Sequence, residues 1–321
     1  EAAPGTTPQI VLNGCLIAVY AGSKDVQLGS ITGGKIKIDC KNAATPAIWY
    51  IGFDSGLASG TACQMVLENL EIDVTDLFDA IAFGAGANDE TPATTGASLT
   101  IRHCTVLGGG DGVFGGSAVK MLYKPPTYAS KVRIENSIFL NPRNGLELGA
   151  YQLGGDSSVL EVSRTIIYVA PEIEGGDSNG IIGRLGHIDI NHCDIIHEAS
   201  NAGVVASRGI VLVQTLPAFL PTCDVFNSII HGDGGVVKFF EGTGTVTDSN
   251  VTGRSIANSG FTAINCIEEL PVDTYITYGT NFADENNFIL KDTAASLTHG
   301  ADPPLGALTP PIVAIQDWAL Y

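Results

Sequence analysis

With 321 residues, 39 of them glycine, and only 16% charged residues against 45% apolar ones, the chain argues against an architecture of long amphipathic helices. A formal charge of −18, with 34 acidic against 16 basic residues and no basic run, argues against nucleic acid or an anionic membrane as a partner. No stretch reaches the roughly 18 apolar residues of a membrane span, and Glu1-Ala2-Ala3-Pro4-Gly5 has no charged-then-apolar character, so a soluble chain is expected, either mature or never signal-bearing.

Residues 1–9 read as an N-terminal extension. From residue 10 to 282 one phrase recurs: an apolar residue, a spacer, then a small polar or ring-bearing residue. Its nine copies are Val11-Leu12-Asn13, Ile38-Asp39-Cys40, Leu67-Glu68-Asn69, Ile101-Arg102-His103, Ile134-Glu135-Asn136, Val162-Ser163-Arg164, Ile190-Asn191-His192, Val225-Phe226-Asn227 and Val246-Thr247-Asp248. The spacing, roughly 20 to 35 residues, is too irregular for a helical array and suits strand-built coils with variable loops. Around each copy apolar residues alternate with period two, as in Ile188 and Ile190 against His187 and Asp189, which predicts strands with one face inward. Asn13, Asn69, Asn136 and Asn227 are expected at one corner, where Asn tolerates a left-handed backbone and can bond its counterpart one coil away.

A second ladder follows each loop: Ile48-Trp49-Tyr50, Ile81-Ala82-Phe83, Val113-Phe114-Gly115, Leu146-Glu147-Leu148, Ile181-Ile182-Gly183, Ile210-Val211-Leu212 and Val236-Val237-Lys238. Most copies are entered through Gly or Ala, as at Asn144-Gly145 and Asn179-Gly180, where a tight corner predicts positive φ. Two or three short strands per turn, stacked in parallel, predict an all-β, single-stranded, right-handed parallel β-helix of about nine coils. A β-sandwich ranks a distant second, because the Asn-Gly pairs fall once per coil and not between adjacent strands. Residues 283–321 read as a closing segment and an extended apolar tail. Pro303-Pro304 and Pro310-Pro311 stop the coil, while Ile312 to Ile315 and Trp318 are too apolar to float free.

The seven cysteines include Cys104 and Cys193 at equivalent positions of their coils, where Leu70, Ser137, Thr165 and Ser228 also sit. They are expected to be small interior residues, and no disulfide framework is predicted. The sequon Asn250-Val251-Thr252 adds little.

The stretch Asp224-Val-Phe-Asn-Ser-Ile-Ile-His-Gly-Asp-Gly-Gly235, then Val246-Thr-Asp-Ser-Asn-Val251, Asn287 through Gly300 and Leu305-Gly-Ala-Leu308, resembles the closing coils of right-handed β-helix proteins of the pectate-lyase-like superfamily. In that family the last coils commonly read Asn-Ser-Ile-Ile and a Leu-x-x-x-Ser-Pro-Ala-Ile-x-x-Gly tail closes the solenoid; here Ala295 stands where Pro is usual. The resemblance implies fold and leaves function open, because members include polysaccharide lyases, glycoside hydrolases, epimerases, bacterial surface proteins and phage appendages. A galacturonan hydrolase of this type would carry clustered Asp motifs and Gly-His-Gly, whereas Asp111-Gly112 and Gly186-His187 are isolated dipeptides that read as turns.

Lyases of the family use Ca²⁺ on outward carboxylates with an Arg or Lys base. Stacking the coils places Lys37, Val66, Thr100, Arg133, Glu161, Asp189 and Asp224 in one outward row, with Glu135 and Asn191 beside it. Three successive carboxylates repel unless they are protonated or share a cation, so Glu161, Asp189 and Asp224 are the candidate Ca²⁺ ligands, and Arg133, Glu161 and Asp189 the candidate catalytic groups. A solvated acidic stripe is the plainer explanation. His187, His192 and His197 do not converge on a zinc site, since residues five apart on a strand face opposite sides. No P-loop, dinucleotide fingerprint or Gly-x-Ser-x-Gly occurs, so no cofactor other than Ca²⁺ is expected.

The outward row of the second ladder, Trp49, Ala82, Phe114, Glu147, Ile182, Val211 and Val237, is mostly apolar and is expected to be covered by loops or by another subunit. Trp49, Phe114, Ile182, Val211, Val237 and the tail residue Trp318 are the candidate interface, which suits a trimer or larger homo-oligomer. The expected function is a non-enzymatic extracellular, cell-surface or virion structural protein that self-associates and binds glycans. The alternatives are a polysaccharide lyase or glycoside hydrolase acting on an acidic polysaccharide and, more weakly, a glycan-binding module with Trp49, Tyr50 or Tyr151 as stacking platforms.

Overall fold

The computed structural model describes residues 7–12, 17–20, 25–30, 34–40, 47–51, 64–74, 79–83, 98–108, 114–121, 131–140, 142–148, 159–169, 178–184, 186–197, 207–213, 220–232, 243–253, 260–275, 288–300, 302 and 304–307. These residues are nearly all strand, in three parallel sheets of nine, seven and nine strands, here called A, B and C. The chain visits the sheets in a repeating cycle. Leu70–Val74 lies in sheet A, Asp79–Phe83 in B, Ser98–Arg102 in C, and Thr105–Gly108 in A again. Strands of successive cycles pair in parallel, so the fold is an all-β, solenoid-like stack. Among the described residues no helix is long and apolar enough to cross a membrane.

The period-two alternation sets the register. On sheet C, Leu67, Ile101, Ile134, Val162, Ile190, Val225 and Val246 are direct partners from one strand to the next. All are buried in one continuous core with the inward residues of sheets A and B. Burying each such side chain is worth about 1.5–3 kcal/mol, realised only when the next coil covers it. The residue two positions on turns the chain from sheet C to sheet A with positive φ at Asn69, His103, Asn136, Arg164, His192, Asn227, Asp248 and Asn265. The amides of Asn69, His103 and Asn136 still donate to the next strand, to the carbonyls of Arg102, Glu135 and Ser163, at 3.1–3.2 Å. The expected asparagine stack is interrupted by His103 and Arg164; Asn227 Nδ2 instead donates to Asn191 Oδ1 at 3.4 Å. Asn13 lies outside the described residues.

Three expectations are corrected. The copies at Val11 and Ile38 belong to sheet A, where Val11 partners Asp39; Leu28 takes the equivalent place on sheet C as partner of Leu67. In sheet B the Val113-Phe114-Gly115 triad is replaced by Val119-Lys120-Met121, with Val119 the partner of Ile81 and Leu146. That register buries Val119 and Met121 and lets Lys120 reach Asp79 at 3.4 Å and Glu147 at 3.7 Å. Gly145 and Gly180 are not in the positive-φ region. They are glycine because a Cβ would come within 2.2 Å of Ile167 Cγ2 at the first and 2.3 Å of the Gly209 carbonyl at the second.

From Ile138–Leu140 onward sheet A is buried on both faces. Its inward Phe139, Ile167, Ile195 and Ile230 join the main core, while the outward Ile138, Leu140, Ile166, Tyr168, Ile196 and Ile229 form a second core with Tyr275, Phe288, Leu290, Leu305 and Ala307. The closing segment therefore folds back over the side of sheet A. Phe288 packs between Tyr168, tilted at 54°, and Tyr275, edge-on at 78°, at centroid distances of 5.9 and 5.7 Å. Asn250, fully buried, ties it on by accepting from the Glu269 amide at 2.8 Å and donating to Ser296 Oγ at 3.0 Å.

One charged group lies under this cover. Asp194 accepts from Tyr275 Oη at 2.6 Å and from the Ala307 amide at 2.7 Å. Burial pushes its carboxyl up to about 7, with the two hydrogen bonds pulling the other way. Gly306, at φ +85°, approaches so closely that a Cβ would meet Asp194 Oδ1 at 2.7 Å and Ile229 Cδ1 at 3.0 Å. Gly306→Ala is expected to destabilise the cover by about 1–3 kcal/mol, measured as lost hydrogen-exchange protection over 288–307. Because the folded carboxyl titrates above its unfolded value near 3.9, its contribution is full below about pH 4 and declines as pH rises to about 7. Asp194→Asn should flatten that part of the melting-temperature profile between pH 4 and 7; an unchanged profile would refute the assignment.

Candidate functional site

The outward row of sheet C runs Gln27, Val66, Thr100, Arg133, Glu161, Asp189, Asp224 and Thr245, each the direct partner of the next. Lys37 is not in it. It lies on sheet A between Gln9 and Glu71, bridging Glu71 at 3.6 Å and Asp73 at 3.1 Å. Hydrogen bonding to Asp73 raises its pKa.

The expected run of three carboxylates separates into two groups. Glu161 is held by Arg133, whose Nε donates at 2.9 Å, and by Lys131. Burial acts to raise the Glu161 pKa, but the hydrogen bonds from Lys131 and Arg133 outweigh it and keep the carboxyl below its usual range. Asp189 and Asp224 turn to His187. His187 Nε2 lies 3.0 Å from Asp189 Oδ1 and 3.8 Å from Asp224 Oδ2, while its Nδ1 is 2.8 Å from Thr222 Oγ1. The other oxygen of Asp224 accepts from Thr245 Oγ1 at 2.6 Å and from its amide at 3.1 Å. One ligand atom from each of His187, Asp189 and Asp224 lies within 4.8 Å of the others, all half-buried. A proton on Nε2 can serve both carboxylates, and so can a divalent cation in its place.

His192 turns away at the corner, its Nδ1 2.9 Å from Asn191 Oδ1 and its Nε2 3.1 Å from the Asp302 carbonyl, and His197 is buried on sheet A. The five described cysteines, Cys40, Cys104, Cys193, Cys223 and Cys266, are free thiols. Burial pushes Cys104 and Cys193 up to about 12, which makes them inert packing groups.

The outer face of sheet B is less open than its apolar row suggests. Ala82, Glu147, Ile182 and Val211 are all buried within the single chain. Trp49 pairs with Ala18 and Ala82, and Phe114 with Pro142 through their backbones. Tyr151, Val237 and Trp318 lie outside the described residues. Ile182 and Val211 line a cavity of about 480 Å³ on this face, across the strands Pro142–Leu148, Ser178–Gly183 and Ser207–Leu212. Arg143, Asn144, Glu147, Asn179, Arg184 and Arg208 supply its polar lining.

Within that lining Asn144, Asn179 and Arg208 are successive partners, and Asn179 Nδ2 donates to Asn144 Oδ1 at 3.2 Å. Glu147 accepts from Ser117 Oγ at 3.1 Å and from Arg184 Nη2 at 3.3 Å. The sequence reading missed this site. A signal existed: Asn144, Asn179 and Arg208 each precede a glycine that enters sheet B, at Gly145, Gly180 and Gly209, so aligning on those glycines brings them together.

No family model, curated protein or solved structure matches the chain.

The Asp224 carboxylate is anchored to the next coil by both the hydroxyl and the amide of Thr245. Thr245→Val should cost about 1 kcal/mol by chemical denaturation, and the cost should fall in an Asp224→Asn background. Equal costs in both backgrounds would show that the 2.6 Å bond contributes nothing.

Proposed function

We propose that this chain is a rigid, non-enzymatic structural rod of an extracellular, cell-surface or virion assembly, wound right-handed in about nine coils, that self-associates and binds glycan on its flank. The observation that supports the rod most is the run of side-chain bonds from coil to coil along sheet C. Gln27 donates to Glu68 at 2.8 Å, Arg102 to Glu68 at 2.9 Å, Arg133 to Glu161 at 2.9 Å and Thr245 to Asp224 at 2.6 Å. These bonds reinforce the backbone ladders and resist bending between coils. They also favour the structural reading over the lyase or hydrolase reading, because Arg133 and Glu161 hold each other in place of a substrate proton.

Self-association is best supported at the ends. Ile10 and Val11 are exposed on the first strand of sheet A, and Ile264, Leu270 and Val272 are exposed at the other end of the stack. Two unlike apolar ends favour a head-to-tail contact, which extends into larger assemblies where it does not close. The sheet B row supports lateral trimers less, since Ile182 and Val211 are already buried. For the cation first expected at Glu161, Asp189 and Asp224, the geometry favours His187 in place of Glu161, and with it a metal that accepts imidazole over Ca²⁺.

Light scattering should show elongated oligomers that dissociate on dilution and are reduced in Val11→Asp or Leu270→Asp; a monomer at every concentration would overturn self-association. On a panel of acidic polysaccharides no unsaturated product or reducing end should accumulate. Product formation abolished by Glu161→Gln would establish the enzyme reading instead. Added Zn²⁺ should raise the melting temperature in the wild type and not in His187→Ala, with Ca²⁺ doing less; no shift with either ion sinks the cation.

A further inference from the structure

The closing segment is fastened to the stack at two places of different chemistry. At the first, Glu269 accepts from the amides of Ala295 and Ser296 at 2.7 and 3.2 Å, and Asn250 donates to Ser296 Oγ. At the second, the chain closes over Asp194. Leu305 donates to the Ser296 carbonyl at 2.9 Å, Gly306 to that of Asn227 at 3.0 Å, and Ala307 to Asp194 Oδ2 at 2.7 Å.

Asp194 is 1% exposed, and its bonding partners among the described residues, Tyr275 and the Ala307 amide, are both neutral. An ionised carboxylate held this way is a charge out of water with no cation against it. The neutral acid can keep both contacts: protonated on Oδ1 it donates to Tyr275 Oη across the same 2.6 Å, while Oδ2 still accepts from Ala307.

The titratable neighbours are few. From the cover Tyr275 lies against Asp194, beside apolar Phe288, Leu305 and Ala307. On the outer face of sheet A, Tyr168 and His231 are the two partners of Ile196, and His231 Nδ1 is 2.7 Å from Thr252 Oγ1. Cys193 joins the main core, and His197, three residues on from Asp194, partners Val169 of that core. His192 touches the closing segment from the corner, its Nε2 3.6 Å from Asp302 Oδ2.

We propose that residues 304–307 act as a proton-controlled strap, closed on sheet A while Asp194 is protonated and opening once it ionises, so that Asp194 and the apolar face around Ile229 are uncovered. The anchor of Asn250 and Glu269 keeps residues 288–297 in place meanwhile. The closed carboxyl titrates at about 7, because burial outweighs its two hydrogen bonds, and an exposed one at about 3.9, so between these values opening releases one proton. The opening equilibrium therefore rises about tenfold per pH unit and levels off above pH 7; closure is favoured in acid and weakens as pH rises. The device depends neither on the assembly nor on the glycan binding proposed above.

Hydrogen exchange of the full chain, resolved to the amides of Leu305, Gly306 and Ala307 and corrected for intrinsic rates, tests it. The range from about pH 5 to 8 lies above ordinary carboxylates. Opening should increase roughly a hundredfold from pH 5 to 7 and little beyond. The amides of Ala294 and Asn250, bonded to the carbonyls of Lys291 and Ser228, should show no such slope. In Asp194→Asn the strap's slope should vanish. In Tyr275→Phe, which removes a bond favouring the ionised form, the levelling-off should move to higher pH, a shift that lost packing alone does not produce. His192→Gln should keep the slope; its loss there would assign the effect to a charged His192–Asp302 pair and overturn the strap. Charging of buried His231 would open the cover as pH falls, the opposite sign. If Asp194→Asn does not fold, the wild-type slope and the Tyr275→Phe shift still decide. A flat profile at Leu305 to Ala307, or an equal slope at Asn250, would also overturn it.

Discussion

The partnering of Leu67, Ile101, Ile134, Val162, Ile190, Val225 and Val246 along sheet C is the constraint from which other positions follow. A side chain in a parallel stack is buried by the coils above and below it, and a one-residue slip would send every one of them to solvent. Once this rung is set, the residue before each member must face outward and the residue two after it must turn the corner. The outward row of Arg133, Glu161, Asp189 and Asp224 and the positive-φ positions from Asn69 to Asp248 are consequences of one register. Outward side chains of neighbouring coils stand about one strand spacing apart, near 4.8 Å. At that distance charges interact strongly: Arg133 pairs with Glu161 across one coil spacing, and the adjacent carboxylates Asp189 and Asp224 both approach His187.

Sheet A meets the same constraint with the opposite outcome. Its strands carry apolar residues on both sides, so its outer face needs a cover, and the segment from Phe288 to Ala307 supplies one. Covering a face that also holds Asp194 removes a carboxylate from water. The cost is limited by Tyr275 and the Ala307 amide, and the close approach of that amide demands glycine at 306. The cover is thus more than apolar adhesion; it is positioned by hydrogen bonds that require a particular backbone.

These differences explain what could be read from the letters alone. The sheet C rung was legible because one buried face produces strict alternation, and the six links between its seven members from Leu67 to Val246 need no adjustment across loops of very different length. Lys37 was misplaced because the Ile36–Cys40 strand alternates in the same way although it belongs to sheet A. The later strands of sheet A, from Ile138–Leu140 on, were hard to recognise because two buried faces erase alternation. Their trace is the doublets Ile166-Ile167, Ile195-Ile196 and Ile229-Ile230, one member in each core. Of the candidate site, the Asp189 and Asp224 pairing was legible, but the turn of His187 toward it was not, since that depends on Thr222 one coil away.

The sheet B cavity lay furthest from view, and the reason lies in how the entry to that sheet is built. In a regular stack every outward residue is matched by its neighbour, and a flat ladder leaves no concavity. Here the entry to sheet B is built on Gly145, Gly180 and Gly209, where neighbouring coils pack too closely for a Cβ at the first two. The residue before each glycine, Asn144, Asn179 and Arg208, is thereby set on the outer face beside Glu147, Ile182 and Val211. The row changes from amide to arginine between Asn179 and Arg208, and an uneven row can enclose volume where a uniform one cannot. The same strands that carry the regular core therefore also carry the most irregular surface. The departure from repeat identity between Asn179 and Arg208, and not the repeat itself, shapes the cavity.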